Sequence, residues 1–380
     1  MDSSKWIQRY YEAQFEDILQ KGKVTVLLGS RQVGKTSLVK KMIRNRENVF
    51  IGDGNDFDLQ ELLNSLRLSA LKNALGNYSI IFIDEAQKIR NIGEAMKLIV
   101  DHLPDSTVIL SGSSSFDLSN KIGEPLTGRQ SVYTLYPLSV LEMAENSGMI
   151  EVQNQLDNLL VFGSYPELLT SSNNEKKSEY LINLRNSFLL KDILELDSIR
   201  NPSKLFDLLR LLAYQIGNEV SLNELSGQLG IAKQTIERYL DLLEKVFILK
   251  KSQGFSRNLR KEITKTHRYY FWDNGVRNSI INNFIPLNLR NDTGMLWENF
   301  LFSERLKTRH YKKIYANEFF WRTYDQKEID LIEEREGNIF AYEFKWKAKK
   351  YTPPKLWADT YPDSEFLVID RENFLEFLVI

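Results

Sequence analysis

The chain is expected to be an α/β protein built on a doubly wound parallel sheet and followed by smaller domains. Three observations carry this. Apolar runs alternate with amphipathic stretches from Val24 to Leu110, as strands and helices do in such a sheet. One run, Val24-Thr25-Val26-Leu27-Leu28, leads into the glycine-bounded loop Gly29 to Ser37 and then into a helical pattern. Another, Ser79-Ile80-Ile81-Phe82-Ile83, is continuously apolar, as befits a strand buried on both faces, and ends in Asp84-Glu85.

The loop reads Gly29-Ser30-Arg31-Gln32-Val33-Gly34-Lys35-Thr36-Ser37, a G-x-x-x-x-G-K-T spacing between strand and helix. Gly29 and Gly34 let the backbone turn tightly and approach a ligand, so that successive N–H groups can point at phosphate oxygens. Lys35 is placed to neutralise the β- and γ-phosphates, and Thr36, in the first helical turn, to ligate Mg²⁺. Asp84, at the C-terminal end of its strand, is expected to hold the same metal through its water shell, and Glu85 to orient or deprotonate the attacking water. Taken singly these could be a glycine turn and a helix cap; their order along the chain favours ATP and Mg²⁺ as cofactors.

At 380 residues the chain is long enough for two or three domains. Its hydrophobic content of 42% and charged content of 27% fit a soluble globular protein. A net charge of -1 means that any nucleic-acid surface must come from local clustering of cations. With no cysteine, disulfides, cysteine-ligated zinc, iron–sulfur clusters and thiol catalysis are excluded, and three histidines make a histidine metal cage unexpected. The first residues lack the apolar core of a signal peptide, and no run approaches a membrane span, so a cytoplasmic protein without membrane contact is expected.

In order, Trp6 to Gln20 shows helical spacing, ended by Gly22; Asn48 to Ile51 is a short strand; Leu59 to Leu75 reads as one amphipathic helix. A helix near Gly93 to Leu103 and the strand Thr107 to Leu110 complete the alternation. The latter runs into Ser111-Gly112-Ser113-Ser114 and is expected between the strands bearing the loop and the acidic pair. Ser111 or Ser113, there, could sense the γ-phosphate or position water, although serines at a strand end also serve simply as turn formers.

These motifs resemble the bacterial and archaeal AAA+-type P-loop ATPases that carry a conserved C-terminal domain of uncharacterised function. The resemblance rests on LLGSRQVGKTSL, IIFIDEAQKI, VILSGSSS, LTGRQSVYTLYPLSVLE and FGSYPELL, and further on QLGIAKQTIERYLDLLEKVFIL, YYFWDNGVRN, GMLWENF and KEIDLIEE…YEFKWK. Ser30 stands where the family usually has proline. The resemblance implies that Arg129 is an arginine finger or sensor arginine, against which stands a simple ion pair, and that the helical stretch from Pro137 to about Leu196, with a long helix through Ser187 to Asp192, is a lid over the nucleotide.

Asn201-Pro202-Ser203 marks a boundary, with Ser203 expected to cap the next helix. Leu222 to Leu229, Gly230 and Ala232 to Lys245 describe a helix-turn-helix, and Phe247 to Lys250 a following strand, hence a winged helix. Lys233, Gln234, Thr235 and Arg238, near the start of the second helix, are of types that reach base edges. The basic segment Lys250, Lys251, Arg257, Arg260, Lys261, Lys265 and Arg268 fits phosphate contacts; protein docking is the alternative use of such a fold.

Glu328 to Ile332 and Ala341 to Trp346 are strand-like, and a two-residue turn at Gly337-Asn338 would set Asp330 opposite Lys345 and Ile332 opposite Glu343. Asp330, Glu343 and Lys345 would share one face. This resembles the core of PD-(D/E)xK nucleases, in which carboxylates hold Mg²⁺ and lysine steadies the attacking water, with Glu298 matching an additional helix carboxylate. A merely solvated polar face and a nuclease fold that has lost catalysis are the alternatives.

The expected domains are an AAA+-type core over 1–136, a helical lid over 137–200, a winged helix over 201–285 and a restriction-endonuclease-like α/β domain over 286–380. The leading expectation is an ATPase that couples nucleotide state to a DNA-engaging C-terminal half, as a homo-oligomer. An ATP-dependent nuclease and an ATP-switched signalling or assembly module with a protein partner are the alternatives.

Overall fold

The computed structural model describes residues 6–113, 121–123, 125–187, 199, 201–256, 267–323, 325–347 and 351–379. The chain divides into two compact units, Met1–Pro137 with Lys245–Phe247, and Leu138–Glu244 with Ile248–Ile380.

The first unit is built on five parallel strands: β1 (Val24–Leu28), β2 (Val49–Asp53), β3 (Ile80–Asp84), β4 (Thr107–Gly112) and β5 (Gln130–Thr134), in the order β2-β3-β4-β1-β5. β4 lies between β1 and β3, as the sequence leads one to expect. β1 and β4 are buried along their whole length, so apolar residues run through them without alternation. On one face, Leu63, Leu71, Leu75, Met96 and Ile99 of three helices pack with Ile81, Ile83, Val108 and Leu110. On the other, Tyr11, Phe15, Leu38 and Val39 surround a small apolar space with Leu27 and Ile109.

Two helices expected here are broken. Trp6 to Gln20 forms only a 3-10 turn, Tyr10–Glu12, and a single α-turn, Phe15–Ile18. The Glu12 carboxylate folds back to accept the Arg9 N–H at 2.8 Å and the Trp6 indole N–H at 2.7 Å, which fixes a bend in place of a continuous helix. Leu59 to Leu75 is two helices, Phe57–Asn64 and Leu68–Leu75, separated by Leu66 at φ +53°. Asp56 caps the first by accepting the Asp58 and Leu59 N–H groups.

In the second unit the helices Val140–Ser147, Met149–Phe162, Pro166–Thr170 and Asn174–Leu184 group with all that follows them except Lys245–Phe247. Asn278 donates to the carbonyls of Leu160 and Val161 at 3.1 and 2.8 Å, and the Glu304 carboxylate accepts the Val140 N–H at 2.7 Å. Residues 188–192 of the expected long lid helix lie outside the described residues. Pro202 opens the helix Pro202–Tyr214 itself, because its missing N–H falls where no helical partner exists; Ser203 is therefore inside the helix and is not its cap.

Seven strands form one mixed sheet: β6 (Glu219–Val220), β7 (Leu249–Gly254), β8 (His267–Phe271), β9 (Asn317–Arg322), β10 (Glu328–Arg335), β11 (Asn338–Phe344) and β12 (Glu365–Ile369), in the order β12-β11-β10-β9-β7-β8-β6. The segments expected as separate domains meet where β7 pairs with β9 in parallel, Gln253 beside Phe319 and Gly254 beside Phe320. The β10–β11 turn is Glu336-Gly337, both at positive φ as a two-residue hairpin turn requires, and Leu331 faces Tyr342. The expected register is thus wrong by two. Because the strand period is two, the slip leaves every side chain on the face expected for it. Among the described residues no helix is long and apolar enough to cross a membrane.

Candidate functional site

The loop after β1 closes on itself for steric reasons. A Cβ at Gly29 would stand 2.1 Å from the Leu135 carbonyl oxygen, and Gly34 lies at φ +97°, so both positions require glycine. Ser30 and Val33 are buried and Gln32 is exposed at φ +62°, while Arg31 and Ser37 are half-buried. Lys35, 6% exposed, donates to the carbonyls of Gly29 and Ser30, both at 2.9 Å, which keeps its ammonium at the mouth of the loop.

From the helix that the loop opens, Thr36 Oγ1 donates to Asp84 Oδ2 at 2.6 Å. The other Asp84 oxygen accepts from the Ser111 hydroxyl at the tip of β4. Thus a hydroxyl and a carboxylate from two separate elements converge beside a lysine, the donor set that a phosphate-bound Mg²⁺ requires. These residues fit Mg²⁺–ATP.

Glu85 sits at φ +49°, a left-handed conformation uncommon for a glutamate and suggestive of a functional constraint. Gln87 Nε2 donates to Glu85 Oε2 at 2.5 Å and to Ser113 Oγ at 3.2 Å, so Ser113 bears on the glutamate and Ser111 on the aspartate. Ser114 lies outside the described residues. The tip of β2 packs on the same turn: Gly54 N–H donates to the Asp84 carbonyl at 2.7 Å, and a Cβ at Gly54 would stand 2.2 Å from the Glu85 carbonyl oxygen. Gln87 and Gly54 are contributors that the sequence reading passed over, although Gln87 lies within the quoted IIFIDEAQKI.

Arg129 precedes β5, and its carbonyl accepts the Val24 N–H at the start of β1. The five residues of β1 separate it from Gly29 by roughly 16 Å, so it lies at the opposite end of the strands and does not reach the nucleotide loop of its own chain. Its side chain pairs with Asp101 at 2.9 Å.

In the second unit, Lys233, Gln234 and Arg238 are exposed and Thr235 is half-buried at the start of the helix Lys233–Lys245, which follows Leu222–Leu229 and the left-handed Gly230. β7 and β8 form an antiparallel ribbon after it. Of the seven cations expected to meet phosphate, Arg257, Arg260, Lys261 and Lys265 lie outside the described residues. Lys250 is paired with Glu318 at 2.8 Å, and Arg268 is 2% exposed. Arg268 is therefore no phosphate contact: on the core-facing side of β8 it is held by carboxylates.

Those carboxylates belong to the expected nuclease-like constellation. Arg268 lies 2.6 Å from Glu328, 3.5 Å from Glu298 and 3.8 Å from Asp330. Asp330 also accepts the Phe344 N–H at 2.8 Å, Glu298 accepts the Tyr270 hydroxyl at 2.8 Å, and Lys345 pairs with Glu343. Burial, then the neighbouring Asp330 charge, pushes the Glu298 carboxyl up to about 8 and that of Glu343 up to about 7; burial raises Asp330 as well. The four expected residues do come together, but a guanidinium stands among them. No group of three acidic or histidine side chains among the described residues is arranged to hold a metal ion. The Mg²⁺ implied by the nuclease resemblance does not fit this cluster.

A glycine loop at the end of an inner strand of a parallel sheet, facing an aspartate–glutamate pair across one intervening strand, is the arrangement of a P-loop nucleotide-binding fold. Residues 21–144 match an AAA domain, 153–287 a domain of unknown function (DUF8612) and 293–358 another (DUF4143). The chain is similar to an uncharacterised protein of Mycobacterium tuberculosis, 27% identical over 88% of this chain and 72% of that one. It is also similar to one of Methanocaldococcus jannaschii, 24% identical over 93% and 86%. Among solved structures it resembles a Walker-type ATPase of Pyrococcus abyssi, with a TM-score of 0.50 and 20% identity, covering 73% of this chain and 97% of that one.

Proposed function

We propose that the protein hydrolyses ATP and uses its nucleotide state to govern a DNA-engaging C-terminal half, working as a homo-oligomer. The observation that carries the ATPase reading is the bond between Thr36 and Asp84 beside Lys35, because a glycine turn alone would not bring those three together. Lys35 leaves the loop carbonyls to meet the β- and γ-phosphates. Thr36 and Asp84 would hold the metal, which would supply positive charge against that developing on the phosphates. Glu85, steadied by Gln87, accepts a proton from the attacking water, and Ser113 completes that chain of hydrogen bonds. Arg129 is assigned the role of a finger supplied to a neighbouring subunit, since it faces away from its own loop.

DNA engagement is supported by the exposed Lys233, Gln234 and Arg238, with Thr235 beside them, on a helix that follows a short helix and a glycine turn, the order of a helix-turn-helix; the strands after it, β7 and β8, are not a free wing but part of the seven-stranded sheet. The cleavage reading is not favoured, since Arg268 occupies the carboxylate cluster.

The test is ATP turnover by the full chain with and without DNA, beside DNA binding over a salt series. Turnover that is stimulated by DNA, with affinity falling steeply as salt rises, is expected. Turnover without any DNA affinity at low salt would leave the signalling or assembly reading; no turnover and no nucleotide binding would end the proposal.

A further inference from the structure

Arg9 belongs to none of the motifs that define the loop, yet it is 4% exposed and its guanidinium lies against the loop's back. One amino group, Nη1, donates to the Val33 carbonyl at 2.6 Å, and the other, Nη2, donates to the Tyr136 carbonyl at 2.7 Å. In a trans peptide the C=O and the following N–H point in opposite directions. A guanidinium that grips the Val33 carbonyl therefore turns the Gly34 N–H away from itself, toward the inner side of the loop. Its charge also polarises that peptide and makes the N–H a stronger donor.

Arg9 is itself fixed. Its backbone N–H is held by Glu12, and Glu12 pairs at 2.8 Å with Lys41 of the helix that the loop opens. Lys41 in turn lies 4.4 Å from the centre of the Trp6 ring. Loop helix, Lys41, Glu12, Arg9 and Val33 thus form a closed circuit around the phosphate loop. Its second arm reaches Tyr136, next to Leu135, whose N–H donates to the Leu28 carbonyl at 2.7 Å just before the loop begins.

Resting on the ATPase reading, we propose that Arg9 is a positioning residue for nucleotide. It presets the Val33–Gly34 peptide as a phosphate donor and ties the loop to the segment leaving β5.

The test measures ADP and ATP affinity in Mg²⁺ and steady-state turnover for the wild type, Arg9→Met, Arg9→Lys and Lys35→Ala. Arg9→Met should weaken affinity roughly tenfold, as expected when the inward-pointing peptide is populated only about a tenth of the time, and raise KM with kcat within about twofold. Arg9→Lys should fall between, because one ammonium cannot bridge both carbonyls. Wild-type affinity in Arg9→Met while Lys35→Ala fails to bind would overturn this role and leave the ATPase reading intact. An absence of nucleotide binding by the wild type would instead remove the ATPase reading. Should Arg9→Met not fold, wild-type affinity in Arg9→Lys would overturn the role equally.

Discussion

Replacing Arg268 by methionine keeps most of the aliphatic stem and removes the charge together with its hydrogen bonds to Glu298 and Glu328. The guanidinium is 2% exposed, and its partners are unequal: the Glu328 side chain is 44% exposed, while those of Glu298 and Asp330 are 18% and 6% exposed. Water can take over Glu328, so its share is at most about 1 kcal/mol. Above about pH 8, where Glu298 is ionised, it and Asp330 would be left as buried carboxylates without their cation, the situation in which breaking a buried pair costs about 3–5 kcal/mol. With a urea dependence of about 2–3 kcal/mol per molar, the unfolding midpoint of the second unit should fall by roughly 1–2 M. The assay is urea denaturation followed by tryptophan fluorescence, without nucleotide, with and without Mn²⁺. Adding Glu298→Gln and Asp330→Asn to Arg268→Met should recover most of the loss, because the charges then leave together. The reasoning is refuted if Arg268→Met is within about 0.5 kcal/mol of the wild type. It is equally refuted if Mn²⁺ stabilises the wild type in a manner that Asp330→Asn abolishes, since the cluster would then hold a metal after all.

Lys35→Ala should abolish nucleotide binding and Glu85→Gln should retain ATP without turning it over, read by equilibrium binding and phosphate release; wild-type turnover by either contradicts the site. Gly29→Ala should lose nucleotide binding or fold poorly, because its Cβ meets the Leu135 carbonyl at 2.1 Å, and unchanged binding and melting would contradict that packing. Glu298 and Glu343, pushed up to about 8 and about 7 from an ordinary 4.5, hold protons more tightly folded than unfolded. Their stabilising contribution is complete below about 4.5 and is lost as pH rises through 7 to 8, so Glu298→Gln should flatten the pH dependence of unfolding across that window. Arg129→Ala should slow turnover roughly a thousandfold or more if it acts as a finger in trans, and mixing it with Lys35→Ala should restore activity; unchanged turnover by Arg129→Ala removes that role.

The parallel sheet was legible because burial on both faces leaves an unmistakable mark, continuous apolar runs such as Ile80 to Ile83, and because the loop spacing is tied to one geometry. What escaped reading was long-range. Glu12 bends the N-terminal segment by accepting from the Arg9 N–H and the Trp6 indole, a choice that apolar periodicity does not register. Arg9 lies 24 residues from Val33 and 127 from Tyr136, with no spacing rule to connect them. Arg268 stands in a basic run and so looks like a surface cation; the carboxylates of Glu298, Glu328 and Asp330, distant in sequence, hold it inside. The hairpin turn lies one residue earlier at each central position than Gly337-Asn338 suggests, because Glu336, at φ +51°, is of a type uncommon in the left-handed region.

The pairing of β7 with β9 constrains how this protein can be divided. The two matched domains of unknown function end at residue 287 and begin at 293, which invites a cut between them. Cleavage or gene fusion there would separate β6, β7 and β8 from β9 to β12 and bare the hydrogen-bonding edges of both fragments, surfaces prone to aggregate. The pieces would therefore be inherited and exchanged as one block, even though each carries a recognisable signature of its own.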